Sequence, residues 1–327
     1  MNIGILATGS YLPETVVTND DLAARVDTSD AWVTSRTGIR ERRLADPGHA
    51  SSDLGRLAAL AALADGNLSV DQIDALVVAT SSPDRIQPST ACHVHAKLGM
   101  TEAPAFDVNA VCSGFVYAAV TAAGLMTSFP RYRRALVVGC ETYSRILDYD
   151  DRTTCVFFGD GAGAAVLGPV PDGFGILGCE LLTDSSRLET VSVPAGGSAE
   201  PARHDTVRDR RHFFRMDGRG VWEFAADALP RAVKGALASA GLDTSDVDVL
   251  ITHQANARLI EACADSLGVP RERVPTTVDR YGNTAAASVP ITLHHALAQR
   301  RIRRGDIVVL AAVGGGMTAG AMVLRWY

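Results

Sequence analysis

The chain has 327 residues, of which 47% are hydrophobic, 21% charged and 6% aromatic, with 30 glycines, enough apolar material for one large or two medium cores. Its formal net charge of -6 argues against a general nucleic-acid binder, which needs a basic surface to neutralise phosphates. The six cysteines, at 92, 112, 140, 155, 179 and 263, make no CxxC and no repeated spacing, so they read as reduced thiols of a cytoplasmic protein rather than as a disulfide frame or a zinc site.

In chain order, residues 1–9 lack a basic start and read as a first strand, not a signal peptide. Asn19 is placed to cap a short helix through Val26, and Ser29 to cap a helix over 30–36 that Gly38 ends. Arg36, Arg40, Arg42 and Arg43 follow. A basic run is usually a solvated face, yet Trp32 beside Arg36 also offers a stacking surface next to a phosphate clamp. An alanine-rich helix is predicted from Ser52 to Ala64, a buried parallel strand over 73–80, a helix over 89–98 and a strand over 105–109.

That strand delivers Cys112 to the first turn of a helix with no charged residue before Arg131. A helix N-terminus offers unpaired N–H groups and partial positive charge, both favouring thiolate over thiol. A buried structural cysteine is the equal alternative at this point. The run to Pro130 approaches membrane-span length, but its Ser113, Gly114, Thr121, Gly124, Thr127 and Ser128 fit a core helix better, so no membrane is implied. Strands over 134–139, 153–158 and 161–167 follow.

The second part then restarts the first. Residues 71–78 resemble 245–252, each after an alanine-rich helix, and 161–167 resemble 318–324. Two α/β halves, 1–170 and 171–327, with parallel central sheets are expected. Between the repeats, 182–216 is polar and irregular, with six arginines from Arg203 to Arg219, the kind of excursion more often functional or interface-forming than neutral. A helix is predicted from Arg219 to Ala240.

Three stretches of the second half stand at element ends: His253-Gln254-Ala255-Asn256 after a buried strand, Gly282-Asn283 before a small-residue helix, and the triplet Gly314-Gly315-Gly316. A Cys, a His and an Asn so placed make an acyl-transfer site, with the cysteine as nucleophile and neutral imidazole, carboxamide and backbone N–H as oxyanion donors. Singly, each has a bland reading: a core histidine, a turn asparagine, a tight bend. His93 and His95, two apart on a helix, face different ways, and with His294 and His295 they read as ordinary helix residues, so no metal is expected.

Taken in order, these motifs resemble the β-ketoacyl-acyl-carrier-protein synthase III family, the priming condensing enzymes of type II fatty acid synthesis. The resemblance runs end to end through 9–13, 37–42, Cys112-Ser113-Gly114-Phe115, 158–164, 253–256 and 282–288. It implies an α/β thiolase-like fold with two pseudo-repeated halves in a layered αβαβα arrangement, the first half carrying the nucleophilic cysteine and the second the His and Asn. It implies a homodimer that condenses an acyl-CoA with a malonyl-acyl-carrier protein, with no cofactor beyond those substrates. Cys112, His253 and Asn283 match the catalytic set, the N–H groups of Cys112 and Gly316 the oxyanion hole, and Trp32, Arg36, Arg152 and Asn256 the coenzyme A contacts. Three departures bear on the substrate. Gln87 stands at the acyl-pocket gate that the family supplies across the dimer, and Trp222 stands beside the pantetheine tunnel in place of a smaller aromatic. The helix after His253 reads Arg258, Glu261 and Asp265, a poor landing surface for an acidic carrier. Either the arginines between Arg203 and Arg219 take over docking, or the chain is a specialised-metabolism relative that primes a polyketide or acylates another nucleophile.

Overall fold

The computed structural model describes residues 2–327. Strands β1 (Asn2–Tyr11) and β2 (Thr15–Thr18) lead to helices α1 (Asn19–Ala23) and α2 (Asp30–Thr37), then β3 (Glu41–Leu44), α3 (Ser51–Asp65), β4 (Ala75–Ala79), α4 (Thr90–Leu98), β5 (Ala105–Val108), α5 (Gly114–Ser128), β6 (Ala135–Glu141) and β7 (Gly161–Val170). Next come β8 (Gly175–Thr183), β9 (Val191–Ser192), α6 (His204–Arg208), β10 (Arg215–Met216), α7 (Gly218–Ser239), β11 (Val249–Thr252), α8 (Ala257–Leu267), α9 (Val278–Tyr281), α10 (Ser288–Ala298), β12 (Ile307–Gly314) and β13 (Thr318–Arg325).

β4, β6, β11 and β12 are runs of small and β-branched apolar residues buried on both faces, which only an interior strand can satisfy. They form the middles of two sheets, ordered β1-β7-β6-β4-β5 and β11-β12-β13-β8. Both sheets are mixed rather than parallel. β4 runs parallel to β5 and β6, but β7 is antiparallel to β6 and β1, and β13 is likewise antiparallel to β12 and β8. The reason is connection length: β12 reaches β13 through a short turn, which can only reverse the chain, whereas a parallel return needs a crossover helix. The repeat seen in the sequence survives as topology, with β1, β7, β6 and β4 answering to β8, β13, β12 and β11.

Five layers result. α3 and α4 cover the outer face of the first sheet, and α7 and α8 the outer face of the second. α5 and α10 lie between the sheets, packed on strands of both. Residues Val111–Ser128, long and apolar enough by composition to cross a membrane, are half buried in this middle layer, and their small side chains are what the close sheet-to-sheet spacing admits.

Two local expectations change. Thr18, not Asn19, caps α1, in a reciprocal pair with Asp21, and the helix stops at Ala23. Residues 153–158 form turns rather than a strand, and Phe158 alone makes a parallel bridge, to Asn283. The apolar run there is buried without joining a sheet: Cys155 and Val156 pack into the core under α7 and α8, and Phe157 and Phe158 line the site. The excursion over 182–216 contains α6 and the small β9–β10 ladder.

Candidate active site

β5 ends at Val108, and the chain turns into α5 through a 3-10 turn over Val111–Ser113. Val111 takes φ +48°, a left-handed conformation unusual for a β-branched residue and worth about 1–3 kcal/mol of strain. The bend aims Cys112 into a cavity between the two halves. Asn109 holds the turn, its Oδ1 accepting from Val111 N at 3.2 Å. β12 crosses just behind, so closely that a Cβ on Gly314 would sit 2.6 Å from Ala110 O and 2.8 Å from Cys112 N.

The thiol is not lowered as its helix position suggests. Burial pushes it well above the ordinary range, and the nearby Glu141 carboxylate adds to this, while the N–H groups of Cys112 and Gly315 pull the other way. Desolvation outweighs the few donors because a thiolate loses its whole hydration shell there. Glu141 is itself buried and raised to about 7 by burial, against donors from Ser82, Ser81 and Ala286. The unloaded site therefore holds a neutral thiol.

His253 follows β11, with its N–H on Ala311 O at 2.8 Å. Burial lowers its imidazole to about 3, so it is neutral at any ordinary working pH. Nδ1 lies 2.7 Å from Ser288 Oγ, and that same oxygen accepts from Gln254 N at 3.3 Å. Ser288 Oγ has no other acceptor among the described residues, so its hydroxyl proton is assigned to Nδ1. This places the imidazole proton on Nε2, a donor facing the cavity.

Asn283 is held at both ends of its backbone, N–H to Phe157 O at 2.8 Å and C=O from Gly159 N at 3.1 Å. Its Oδ1 accepts from Ala285 N at 2.8 Å, which orients the amide and leaves Nδ2 as a free donor. Cys112, His253 and Asn283 line one narrow cavity of about 130 Å³, together with Phe158, Phe214, Gly315 and, toward the mouth, Trp222 and Asn256. Three groups from three loops thus converge on one apolar hole, where a hydrogen bond to developing charge is strongest. Gly315 N–H points at the sulfur. Gly316, the sequence candidate, comes next at φ +70° and is not among the lining residues.

Outside the mouth, Trp32 stands with the Arg36 and Arg152 guanidiniums 5.3 and 5.5 Å from its ring centre. Asn256 caps α8 through Arg258 N and reaches Arg36 O at 3.4 Å, tying this aromatic and basic patch to the tunnel. Gln87 does not join its own chain's cavity; it lies on an exposed loop.

Comparison with known proteins agrees with this geometry. Residues 106–185 match the family 3-oxoacyl-[acyl-carrier-protein (ACP)] synthase III, and residues 237–326 match its C-terminal counterpart. The β-ketoacyl-[acyl-carrier-protein] synthase III of Caldanaerobacter subterraneus is 48% identical over 323 residues, covering 99% of this chain and 97% of the relative. That of Xanthomonas campestris is 48% identical over 322 residues, with 98% of each covered. The chain belongs to the β-ketoacyl-acyl-carrier-protein synthase III family. The crystal structure of the Aquifex aeolicus synthase III superposes with TM-score 0.91 at 40% identity, covering 99% of this chain and 100% of the other. The priming β-ketosynthase of a polyketide pathway superposes with TM-score 0.92 at 31% identity, covering 99% and 96%. The protein is a condensing acyltransferase with a thiolase-like fold, of the fatty-acid-priming kind rather than the polyketide kind.

For a synthase III, its charged surface reads differently in three dimensions. Glu261 and Asp265 both pair with Arg271 from the following turn, so the α8 face is nearly neutral instead of acidic. Of the six excursion arginines, Arg208, Arg210, Arg211 and Arg219 are held by Asp209, by Asp148 and Asp150, by Glu200 and by Glu223. That leaves little free positive charge there. Tyr143 and Phe214 were not singled out from sequence, and Ser288, Gly315 and Phe158 stood there only as members of motifs, without roles of their own. Ser288 closes the 282–288 motif and Phe158 opens the 158–164 motif, so both were legible; Tyr143 and Phe214 lie apart from any motif and carried no signal.

Proposed function

We propose that Cys112 is the nucleophile, and that His253 and Asn283 are the paired donors of a decarboxylative condensation. Cys112 sulfur attacks an acyl-CoA carbonyl, the C–S bond to coenzyme A breaks, and the coenzyme A thiol leaves with the cysteine proton. A malonyl thioester then enters, and its carboxylate departs as carbon dioxide. The resulting enolate oxygen takes hydrogen bonds from His253 Nε2–H and Asn283 Nδ2–H. Its carbon attacks the acyl-cysteine carbonyl, whose oxygen charge meets the N–H groups of Cys112 and Gly315, and collapse expels the cysteine thiolate, which takes a proton from solvent. The β-ketoacyl thioester leaves on its carrier.

The observation that carries this reading is the neutral His253. A donor that never charges stabilises an enolate without giving up its proton early, and it shares one cavity with Cys112 and the free amide of Asn283. Trp32, Arg36 and Arg152 would hold the adenine and phosphates of coenzyme A, and Asn256 the pantetheine arm. No resident cofactor is needed, because thioester, thiol and donors supply the chemistry. The partners are acyl-CoA, a malonyl-acyl-carrier protein docking near Arg258, and a second copy of the chain that brings its Gln87 loop. The setting is cytoplasmic.

Intact-protein mass spectrometry after mixing with acetyl-CoA tests the first step, and carbon dioxide release from malonyl-acyl-carrier protein tests the second. Both should appear in the wild type, and Cys112→Ala should lose acylation and lower product formation by at least about 1000-fold. Acylation of Cys112 with no carbon dioxide released would instead assign simple acyl transfer to another acceptor.

A further inference from the structure

Of the arginines at 36, 40, 42 and 43, Arg42 alone is buried. On β3 it is 1% exposed, and burial lowers its guanidinium to about 10, which leaves it a cation at neutral pH. None of its hydrogen bonds reaches a carboxylate among the described residues. Nη1 donates to Val17 O at 3.2 Å and to Asn19 Oδ1 at 2.9 Å, and Nη2 donates to Val156 O at 2.8 Å. A buried cation without a counter-charge is costly, and an apolar side chain of like volume would fill the same space at less cost. What such a side chain could not do is donate to three segments at once.

Two of these segments lead to the site. The turn over 156–159 holds both backbone ends of Asn283, through Phe157 O and Gly159 N. The stem of Arg42 backs that contact: a Cβ on Gly159 would lie 3.0 Å from Arg42 Cβ, and one on Gly282 3.4 Å. The other arm runs through buried Asn19, whose Oδ1 takes the Arg42 proton while Nδ2 donates to Asp30 Oδ1 and to Ile39 O, both at 2.8 Å. Asp30 opens α2, the helix that carries Trp32 and Arg36, and Ile39 follows its end.

We propose that Arg42, acting with Asn19, is a positioning residue for both half-reactions, holding the Asn283 turn against 156–159 and keeping α2, with Trp32 and Arg36, in register with it. This rests on the reading of Asn283 as an enolate donor and of the α2 patch as the coenzyme A clamp. Arg42 touches no substrate. It acts through Val156 on one side and through Asn19 on the other.

The test has three readouts: carbon dioxide release from malonyl-acyl-carrier protein by the acetylated enzyme, KM for acetyl-CoA, and alkylation of Cys112 by iodoacetamide, located by peptide mass mapping. The last needs neither Asn283 nor the α2 patch. Arg42→Met keeps the stem without charge or donors; it should slow carbon dioxide release by about 10- to 100-fold, the cost of a small misplacement, and raise the KM, while alkylation stays within about 2-fold of wild type. Arg42→Lys, which keeps the charge and one reach, should recover about 3-fold or more of the lost rate. Asn19→Ala cuts only the arm to α2. It should raise the KM by about 3- to 10-fold with carbon dioxide release within about 2-fold of wild type, and it serves as the test if Arg42→Met fails to fold. The proposal is overturned if folded Arg42→Met keeps both the wild-type release rate and the wild-type KM, or if alkylation falls by the same factor as release, the mark of a merely destabilised fold. Asn19→Ala with an unchanged KM overturns it as well. No carbon dioxide from the wild type would overturn the reading of Asn283 on which the inference stands, a different result.

Discussion

The turn that presents Cys112 and the turn that presents Asn283 are one device used twice. Asn109 accepts from Val111 N as Asn283 accepts from Ala285 N, and Val111 and Ala285 both take left-handed φ, +48° and +43°. Each leads through a 3-10 turn into a middle-layer helix. Each is crossed by the other half's sheet at a glycine: a Cβ on Gly139 would lie 2.7 Å from Ala286 O, as one on Gly314 would lie 2.6 Å from Ala110 O. The side chains differ. The residue that matches Cys112 is Ala286, and the asparagine that is exposed in the first turn is buried in the second. Where Ala79 touches Gly114 in the first half, His253 bonds Ser288 in the second. The backbone is thus a holder, and placing a sulfur in one copy and two polar donors in the other makes an asymmetric site from a symmetric frame.

Breaking the asymmetry should cost most. Asn283→Ala is expected to slow carbon dioxide release by about 100- to 1000-fold, or roughly 2.7–4 kcal/mol, while leaving acylation of Cys112 by acetyl-CoA much less affected. Comparable losses in both half-reactions would show that Asn283 serves the whole site rather than the enolate. The crossing glycines separate the two turns further. Gly314→Ala and Gly139→Ala should each destabilise by about 1–3 kcal/mol, seen in urea unfolding, but Gly314→Ala should chiefly slow acylation and Gly139→Ala chiefly slow decarboxylation.

The His253–Ser288 pair predicts a pH signature with no counterpart at Ala79–Gly114. The folded imidazole sits at about 3 and the ordinary value is 6.5. Unfolding therefore takes up a proton below pH 6.5, and stability is lost as pH falls from there toward 3. Between pH 6.5 and pH 5 the loss should be about 1.6 kcal/mol, and His253→Gln should flatten that part of the curve. The mildest change concerns the shared strain: Val111→Gly and Ala285→Gly trade relief of left-handed φ against added chain entropy, and should each stay within about 1 kcal/mol of wild type. A loss above roughly 2 kcal/mol at either position would mean that the side chain, not the φ angle, governs that turn.

Much of this was legible in the chain itself. The repeat, the buried strands and the three element-end motifs pointed to the family and to Cys112, His253 and Asn283 as the candidate trio, because periodicity and short-range spacing survive in one dimension. Strand direction did not, since it depends on which neighbour a strand meets. The charges on α8 misled for a similar reason: Arg271 lies six residues beyond Asp265 in sequence yet pairs with it and with Glu261. A count along one helix omits the partner that folds back on it.

What the sequence determined by itself was the kind of chemistry: which residues could be nucleophile and donors, on a two-fold α/β frame. What only the tertiary structure decided was the state of those groups and the room around them. The thiol is raised, not lowered, because burial removes hydration that a helix turn cannot replace. Ser288 holds the imidazole at Nδ1, and Phe158 and Phe214 line the cavity with Tyr143 stacked on Phe158. Desolvation and packing sum over neighbours from distant parts of the chain, so they come into being only when the two halves close on each other.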